Sequence, residues 1–322
     1  MTLPLFDEPP PPSTFNRTRL ATKLSALAAS NIYIGTSSWK YEGWLGQIYT
    51  RENYLYRDRF SEKRFQSECL AEYAQTFPIV CGDFSFYQFP TDQYWHRLFT
   101  SAAPTLKYAL KVPEEITVKA FPTHPRYGPR AGDPNDRFLD ATLFHTGFLD
   151  LLRPWRDRIA VLIFEFGAFP RYCYRNTGEF VAELDPFLAS LDPDFRYAVE
   201  IRNQEFLQPE YFACLHRHRV AHVFNAWTRM PELADQIVLP DVYTADFTVT
   251  RALLRRGRPY EEAVAKFTPY SRIQDANEPA RTAIRTIITH ARDRAQPSYI
   301  FVNNRLEGNA PATIESICTT TV

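Results

Sequence analysis

Cysteine is scarce in this sequence, and its arrangement excludes two common uses. Only five cysteines occur in 322 residues, at positions 69, 81, 173, 214 and 318. They are odd in number, widely spaced and without a CxxC pair, which argues against a disulfide framework and a cysteine-rich zinc site. We therefore expect free thiols in a reducing, cytoplasmic setting.

Surplus charge of either sign is absent as well. Lys plus Arg and Asp plus Glu each total 37. No global field therefore draws the protein toward nucleic acid, an acidic substrate or an anionic membrane. The chain also lacks the pattern of a signal peptide and any apolar run long enough to cross a bilayer, so we expect no membrane segment.

Glycine is the third scarce residue, with 11 in the whole chain. There is no Gly-rich phosphate loop and no nucleophile elbow, so nucleoside triphosphate chemistry and acyl transfer have no support. Large side chains are plentiful, since 45% of residues are apolar and 15% are aromatic, which is typical of a globular protein with a sizeable core. The run Pro9 to Pro12 predicts a Pro-rich tail over residues 1–30, followed by one folded domain over 31–322.

From residue 31 onward, short β-type runs alternate with longer segments of helical period, a pattern typical of repeated βα units. The eight runs are IYIGTS, PIVCGDF, KYALKV, IAVLIFEF, RYAVEIR, AHVFNAW, DVYTADF and SYIFVNN. The clearest helical segments are YRDRFSEKRFQSECLAEYAQTF, DRFLDATLFHTGFLDLL and EPARTAIRTIITHARDRA. Eight parallel strands predict an α/β fold of the TIM-like (β/α)8 barrel type, and the chain length suits such a barrel with insertions.

Charged residues interrupt two of these runs on the face predicted to point inward. In the fifth run, the period of two places Val199 and Ile201 toward the helices and Glu200 and Arg202 toward the barrel axis. The third run places Lys111 in the same way. Because a lone charge inside a barrel is too costly, these groups are expected at strand ends that meet solvent or a counter-charge.

Two connections are predicted to be long, residues 113–136 after the third strand and residues 247–278 after the seventh. Both leave carboxyl ends of strands, where the loops of such barrels build active sites. We expect these loops to act as lids or specificity loops.

Five segments together resemble a known family. They are GTSSWKYEGWLGQIY, DFSFYQFP, YALKVPEEIT, YAVEIRNQEF and FVNNRLEGNAPATI. In this order and spacing the chain, over roughly residues 31 to 317, resembles the DUF72, or YecE-like, family. The resemblance implies a TIM-barrel-like fold and a family whose biochemical function is uncharacterised.

The family's motif positions fall at or just beyond predicted strand ends. They correspond here to Gly35, Thr36, Ser37, Trp39, Phe86, Tyr87, Lys111, Glu200, Arg202, Asn303, Asn304 and Gly308. Four positions depart from the family's usual residues, namely Cys81, Asp83, Glu165 and Asn203. These departures suggest a divergent subgroup with a different ligand.

The candidate site is assembled from these strand-end residues. Glu200 and Lys111 are the candidate catalytic groups, since neighbouring charges tune pKa values at sites. The candidate ligand-binding residues are Trp39, Asp83, Tyr87, Glu165, Arg202, Asp246, Asn303 and Asn304. We expect the pocket to bind a small phosphate-bearing or otherwise anionic ligand. The same charges are equally typical of a structural ion-pair network, so that interpretation stays open.

Two further functions remain as alternatives. Glu165 and Asp246, after the predicted fourth and seventh strands, would suit a glycoside hydrolase, which needs two carboxylates facing each other across a bond. The loops TRALLRRGRPY and HPRYGPR gather arginines, with His124 in the second, and would suit phosphate, nucleic acid or a protein partner.

Metal and thiol chemistry have little support. The histidines do not converge at strand ends, so no metal site is predicted, although Asp83, Glu165, Glu200 and Asp246 leave a weak magnesium alternative. Cys81 is predicted to be a buried filler, with Lys111 as a neighbour able to lower its pKa. The sequence leaves any cofactor unspecified.

Overall fold

The computed structural model describes residues 15–319, and its centre is a closed barrel of eight parallel strands. The barrel strands are β1 (Ile32–Thr36), β4 (Ile79–Gly82), β5 (Lys107–Lys111), β6 (Ile159–Phe166), β7 (Tyr197–Ile201), β8 (Ala221–Ala226), β9 (Thr248–Ala252) and β10 (Ser298–Val302). A small antiparallel hairpin, β2 (Leu55–Tyr56) and β3 (Arg59–Phe60), lies between the first two. Pairing of β1 with both β4 and β10 closes the ring, which confirms the predicted TIM-like barrel.

Helices follow or precede the strands around the barrel. Those before β6 are α1 (Arg17–Ala29), α2 (Glu62–Tyr73), α3 (Asp92–Thr100), α4 (Glu114–Thr117), α5 (Ala141–Phe144) and α6 (Asp150–Leu152). Those after it are α7 (Thr177–Ala189), α8 (Pro209–Arg217), α9 (Leu233–Gln236), α10 (Tyr260–Phe267), α11 (Glu278–Asp293), α12 (Asn304–Glu307) and α13 (Ala310–Thr319). Among the described residues, no helix is both long enough and apolar enough to cross a membrane.

Helix α1 corrects the boundary drawn for the N-terminal tail. Asn16 caps it by accepting a hydrogen bond from the backbone N–H of Arg19. Leu20, Leu24 and Leu27, spaced by three and four residues, form one apolar face that is buried in the outer core. The second half of the predicted tail is therefore a packed helix. The prolines of the tail lie outside the described residues.

The barrel separates two apolar layers according to strand alternation. Ala198 belongs to the inner core, with Val161 and Val223 from neighbouring strands. Val199 and Ile201 belong to the outer core beneath the helices. The alternation expected for the fifth run is thus confirmed, and it directs Glu200 into the barrel.

The seventh barrel strand lies further along the chain than predicted. The run DVYTADF is not a strand, and β9 starts at Thr248 and pairs in parallel with Ser298 of β10. Two consequences follow for the site. Asp246 precedes the strand and lies at its amino end, whereas Arg251 is inside the strand, in register with Asn225 of β8.

Long segments leave two strands at the carboxyl end of the barrel. Residues 112–158, between β5 and β6, hold α4, a bridge between Ala120 and Pro134, and the helical turns of α5 and α6. Residues 253–277, between β9 and α11, hold α10. The first of these segments forms one wall of the cleft described below.

Candidate functional site

Five charged side chains form one buried network at the carboxyl end of the barrel strands. Glu165 Oε2 lies 2.9 Å from Lys111 Nζ and 2.6 Å from Arg251 Nη1, and Glu165 Oε1 lies 3.0 Å from Arg202 Nη2. Glu200 accepts from Arg202 at 3.0 Å through Oε1 and from Arg251 through Oε2. The period of two within a strand explains why these five side chains lie close together, because each residue occupies an inward position near the end of its strand.

Asp83 completes the network from the solvent side. Its carboxylate lies 2.8 Å from Lys111 Nζ, and its side chain is 47% exposed, against 5% for Lys111. The three cations therefore face only two buried carboxylates, Glu165 and Glu200, and the third anion is the accessible one. Of all the charged groups in the network, Asp83 has the most exposed side chain.

Two of the three cations, Lys111 and Arg202, also contact aromatic rings. Lys111 Nζ lies 3.5 Å from the ring centroid of Phe86, and the Arg202 guanidinium lies 3.9 Å from that of Trp227. Such contacts stabilise a desolvated cation through the negative face of the ring. Within the described chain, Nη1 of Arg202 has no protein acceptor. Arg202 thus keeps one donor available.

The pKa values follow from burial and from these pairs. Burial raises the pKa of Glu165, but the charges of Arg202, Lys111 and Arg251 outweigh it and hold the pKa well below its usual range. Burial also disfavours the charged form of Arg251 and so lowers its pKa. The charges of Glu200 and Glu165 outweigh this effect and hold the pKa well above its usual range. Glu165 and Arg251 are therefore both charged around neutral pH.

Cys81 is buried, and its basic neighbours do not lower the pKa of its thiol enough to activate it. Burial raises the pKa of its thiol to about 11, although Arg251 and Lys111 oppose that shift. The side chain belongs to the inner apolar core of the barrel. Cys81 is a protonated core residue, as the filler interpretation predicted, and is not a nucleophile at neutral pH.

A cleft of about 500 Å³ adjoins the network. Phe86, which covers Lys111, also lines this cleft, as does Tyr87, whose side chain is largely exposed. The opposite wall comes from the long segment after β5, where Arg126 lies over the ring of Tyr87 at 4.7 Å. Trp39 lies elsewhere, stacked on Phe84 at 4.8 Å.

The side-chain oxygens of Asn303 and Asn304, both predicted to bind ligand, accept hydrogen bonds from the protein itself. Asn303 caps α12 by accepting from the backbone N–H of Arg305. Asn304 accepts from Trp44 Nε1 at 3.2 Å and from the Ala310 N–H at 2.7 Å. Both side chains are buried, so their contacts join the last strand to the C-terminal helices.

The predicted arginine loops are largely neutralised. Arg251 lies inside the barrel, while Arg255 and Arg258 both pair with Asp275, at 3.1 and 2.5 Å. Arg256 is the member of this group that remains exposed without an ion pair among the described residues. The loop therefore does not present the row of free cations that a phosphate backbone requires.

The second loop is neutralised in the same way. Arg126 pairs with Glu114 at 2.6 Å, and Arg130 pairs with Glu115 at 2.7 Å. Burial raises the pKa of Glu114, against the opposing charge of Arg126. His124 accepts a local hydrogen bond from the backbone N–H of Arg126. These pairs hold the loop against α4 and its neighbours.

The structure contradicts the pairing of Glu165 with Asp246. Glu165 is buried and bound by three cations at the carboxyl end of the barrel. Asp246 lies at the amino end, in a cavity that Tyr33 and Tyr299 also line. No glycosidic bond can lie between the two carboxylates, so the hydrolase alternative is wrong for this pair. The same separation removes Asp246 from the magnesium set.

Sequence reasoning placed Arg251 in an arginine-rich loop and missed its position inside the barrel, although a signal was present. Val249 and Arg251 are two residues apart, and Val249 belongs to the inner core, so alternation carries Arg251 into the barrel. The partners that make its burial tolerable, Glu165 and Glu200, come from strands far away in sequence.

The family model described as "Protein of unknown function DUF72" matches residues 33–321. The chain belongs to the DUF72 family. Among solved structures, a family protein from Thermotoga maritima MSB8 shares 17% identity, with a TM-score of 0.57 over 89% of this chain and 98% of that one. Another, from Enterococcus faecalis V583, shares 15% identity, with a TM-score of 0.58 over 90% and 96%. No curated protein matches the chain significantly.

These comparisons confirm the resemblance derived from the five motifs and the fold that it implies. The family's own description leaves the function open. The chemistry of this member must therefore be argued from its own side chains.

Proposed function

We propose that the carboxyl end of the barrel binds a small phosphate-bearing or otherwise anionic ligand, with Lys111 and Arg202 as the contacting cations. The single observation that carries the proposal is the contact of the half-exposed Asp83 with the buried Lys111. An anionic group that displaces Asp83 restores the same charge balance. The remainder of the ligand then extends into the adjoining cleft beside Phe86 and Tyr87.

Charge and accessibility support this arrangement. Without Asp83, the network carries three cations and two carboxylates, an excess of one positive charge. That charge lies in surroundings of low dielectric, where electrostatic attraction is stronger than in water. Arg202, which keeps a donor free, is directional enough to orient a phosphate or carboxylate.

Glu200 has a positioning role in this proposal, in place of the predicted acid or base role. Its side chain is wholly buried, and its two oxygens hold Arg202 and Arg251. Glu165 has the same function for Lys111 and Arg202. The two glutamates fix the cations in place, as carboxylates do when they support a binding group from behind.

The test is the substitution Asp83→Asn, which removes the internal competitor for Lys111 and keeps the side-chain shape. We expect the affinity for inorganic phosphate and for a sugar phosphate to rise roughly tenfold, the value of one partly buried charged contact. Isothermal titration calorimetry at fixed ionic strength measures it. Asp235→Asn, an exposed carboxylate on α9, is the matched control and should leave binding unchanged.

Two results would overturn the proposal. One is the absence of binding by either probe to both the wild type and the Asp83→Asn variant. The other is an unchanged or weaker affinity of that variant, which would mean that Lys111 is not the anion's contact. Either result would favour the interpretation of the network as purely structural.

A further inference from the structure

A second group of chemically reactive side chains lies on the outside of the barrel, between helices α7 and α8. Asp185 comes from α7, Cys214 comes from α8, and His218 caps the end of α8. Asp185 Oδ1 lies 2.7 Å from His218 Nε2 and 3.6 Å from Cys214 Sγ. All three potential ligand atoms lie within 4.8 Å of one another.

We propose that Asp185, Cys214 and His218 form a binding site for a zinc-class transition metal. A thiolate, an imidazole and a carboxylate together are a ligand set that suits Zn²⁺, and three protein ligands leave a fourth position for water. Neither the family assignment nor the network inside the barrel involves these residues.

Two of the three distances between ligand atoms are close to those of a zinc site. In a tetrahedral zinc site, bond lengths of about 2.0 to 2.3 Å place neighbouring ligand atoms about 3.3 to 3.5 Å apart. The sulfur to oxygen distance of 3.6 Å already matches this spacing. The nitrogen to oxygen distance of 2.7 Å is a hydrogen bond and must open by about 0.6 Å, well within one side-chain rotation.

The helices hold the ligands in this arrangement. Cys214 and His218 are four residues apart, so they lie on the same face, one turn from each other. Helix α7 packs against α8 and presents Asp185 to that face. The Cys214 side chain is buried while those of His218 and Asp185 are partly exposed, so the site opens on one side to solvent. His218 also lines the cavity at the amino end of the barrel.

Arg217 competes with a metal for the same carboxylate oxygen. Its Nη1 lies 2.6 Å from Asp185 Oδ1, but its side chain is 60% exposed and can turn into solvent. A thiol must lose its proton to ligate a metal, so metal binding at Cys214 releases that proton to solvent.

The test uses Co²⁺ as a spectroscopic substitute for Zn²⁺, titrated into the full-length reduced protein. We expect one equivalent to give the visible bands of tetrahedral cobalt and a near-ultraviolet charge-transfer band from a thiolate, both lost on addition of Zn²⁺. Cys214→Ser should abolish the charge-transfer band. The matched control is Cys173→Ser, a partly exposed cysteine that is not one of the three ligands, which should keep it.

The substitution Arg217→Gln provides a gain-of-function test. Removal of the exposed competing cation should tighten Co²⁺ binding roughly two- to fivefold, the value of a surface ion pair. His218→Gln should weaken it strongly. Absence of the thiolate band in the wild type, its persistence in Cys214→Ser, or weaker binding by Arg217→Gln would each overturn the proposal. The readout is independent of anion binding at Lys111.

Discussion

Lys111 and Glu165 form an ion pair inside the barrel, with 2.9 Å between Nζ and Oε2 and side-chain exposures of only 5% and 6%. They come from neighbouring strands, β5 and β6, and Glu165 also holds Arg202 and Arg251. Breaking one side of a buried pair leaves an uncompensated charge, whereas replacing both sides with apolar residues of similar size costs far less.

This relationship predicts strong coupling in a double-mutant cycle. Glu165→Met should lower the free energy of unfolding by about 3 to 5 kcal/mol, because three cations lose a partner. The double variant with Lys111→Met should be more stable than the sum of the single changes implies, by about 1 to 3 kcal/mol. Urea unfolding monitored by circular dichroism measures all four proteins.

The surface pair of Arg64 and Glu68 is the matched control for this cycle. Its ion pair has the same length, 2.9 Å, but both side chains are about half exposed. Solvent screens that pair, so its coupling energy should be no more than about 0.5 kcal/mol. Equal coupling energies in the two cycles would show that burial does not strengthen the Lys111 pair.

The local sequence pattern was sufficient to predict most of the fold, but it did not place Arg251 and Asp246 correctly. Alternation placed Lys111, Glu200 and Arg202 inside the barrel, because inward residues follow from the period of two within one strand. The same rule failed at DVYTADF, because its β-branched and aromatic residues are typical of a strand. The actual strand, β9, begins directly after this run. That one displacement put Asp246 at the wrong end of the barrel and Arg251 in a loop.

The burial of Arg251 could not be predicted from its own neighbourhood. An arginine within TVTRA is tolerable inside the barrel only because Glu165 and Glu200 meet it there. That compensation depends on strands brought together by the closure of the barrel. The neutralisation of Arg255 and Arg258 by Asp275 could not be predicted for the same reason, since a count of charges along the sequence does not show which residues form ion pairs.

The pH dependence of stability should report the burial of His222. Its ring lies among those of Tyr211, Phe212 and Phe224, and burial lowers its pKa from the usual 6.5 to about 3. Between these two values the unfolded chain binds a proton that the folded chain excludes, so the free energy of unfolding falls as pH falls from about 6.5 to 3.

His222→Leu removes this titration. We expect its free energy of unfolding, referred to its own value at pH 8, to fall less steeply below pH 6.5 than that of the wild type. Urea denaturation at half-unit steps from pH 8 to pH 4.5 gives both curves. His216→Leu, at an exposed position of α8, should keep the wild-type slope. Identical slopes for all three proteins would contradict a neutral, buried His222.

Gly35 stands in the first of the family motifs, and the structure gives it a packing role. A Cβ built at this position would lie 1.9 Å from the backbone oxygen of Ile79, on the strand that closes the barrel against β1. Because the obstacle is backbone, it cannot turn aside, and the two strands must separate. Gly35→Ala should therefore lower the free energy of unfolding by about 1 to 3 kcal/mol or more.

Gly167→Ala is the control for that substitution, because a Cβ at Gly167 meets nothing within 4 Å. It should change the free energy of unfolding by less than about 0.5 kcal/mol, since a surface substitution without strain has little effect. Chemical denaturation of both variants gives the comparison. If Gly35→Ala were as stable as Gly167→Ala, the glycine would not be required for β1 to approach β4, and its place in the motif would need a ligand to explain it.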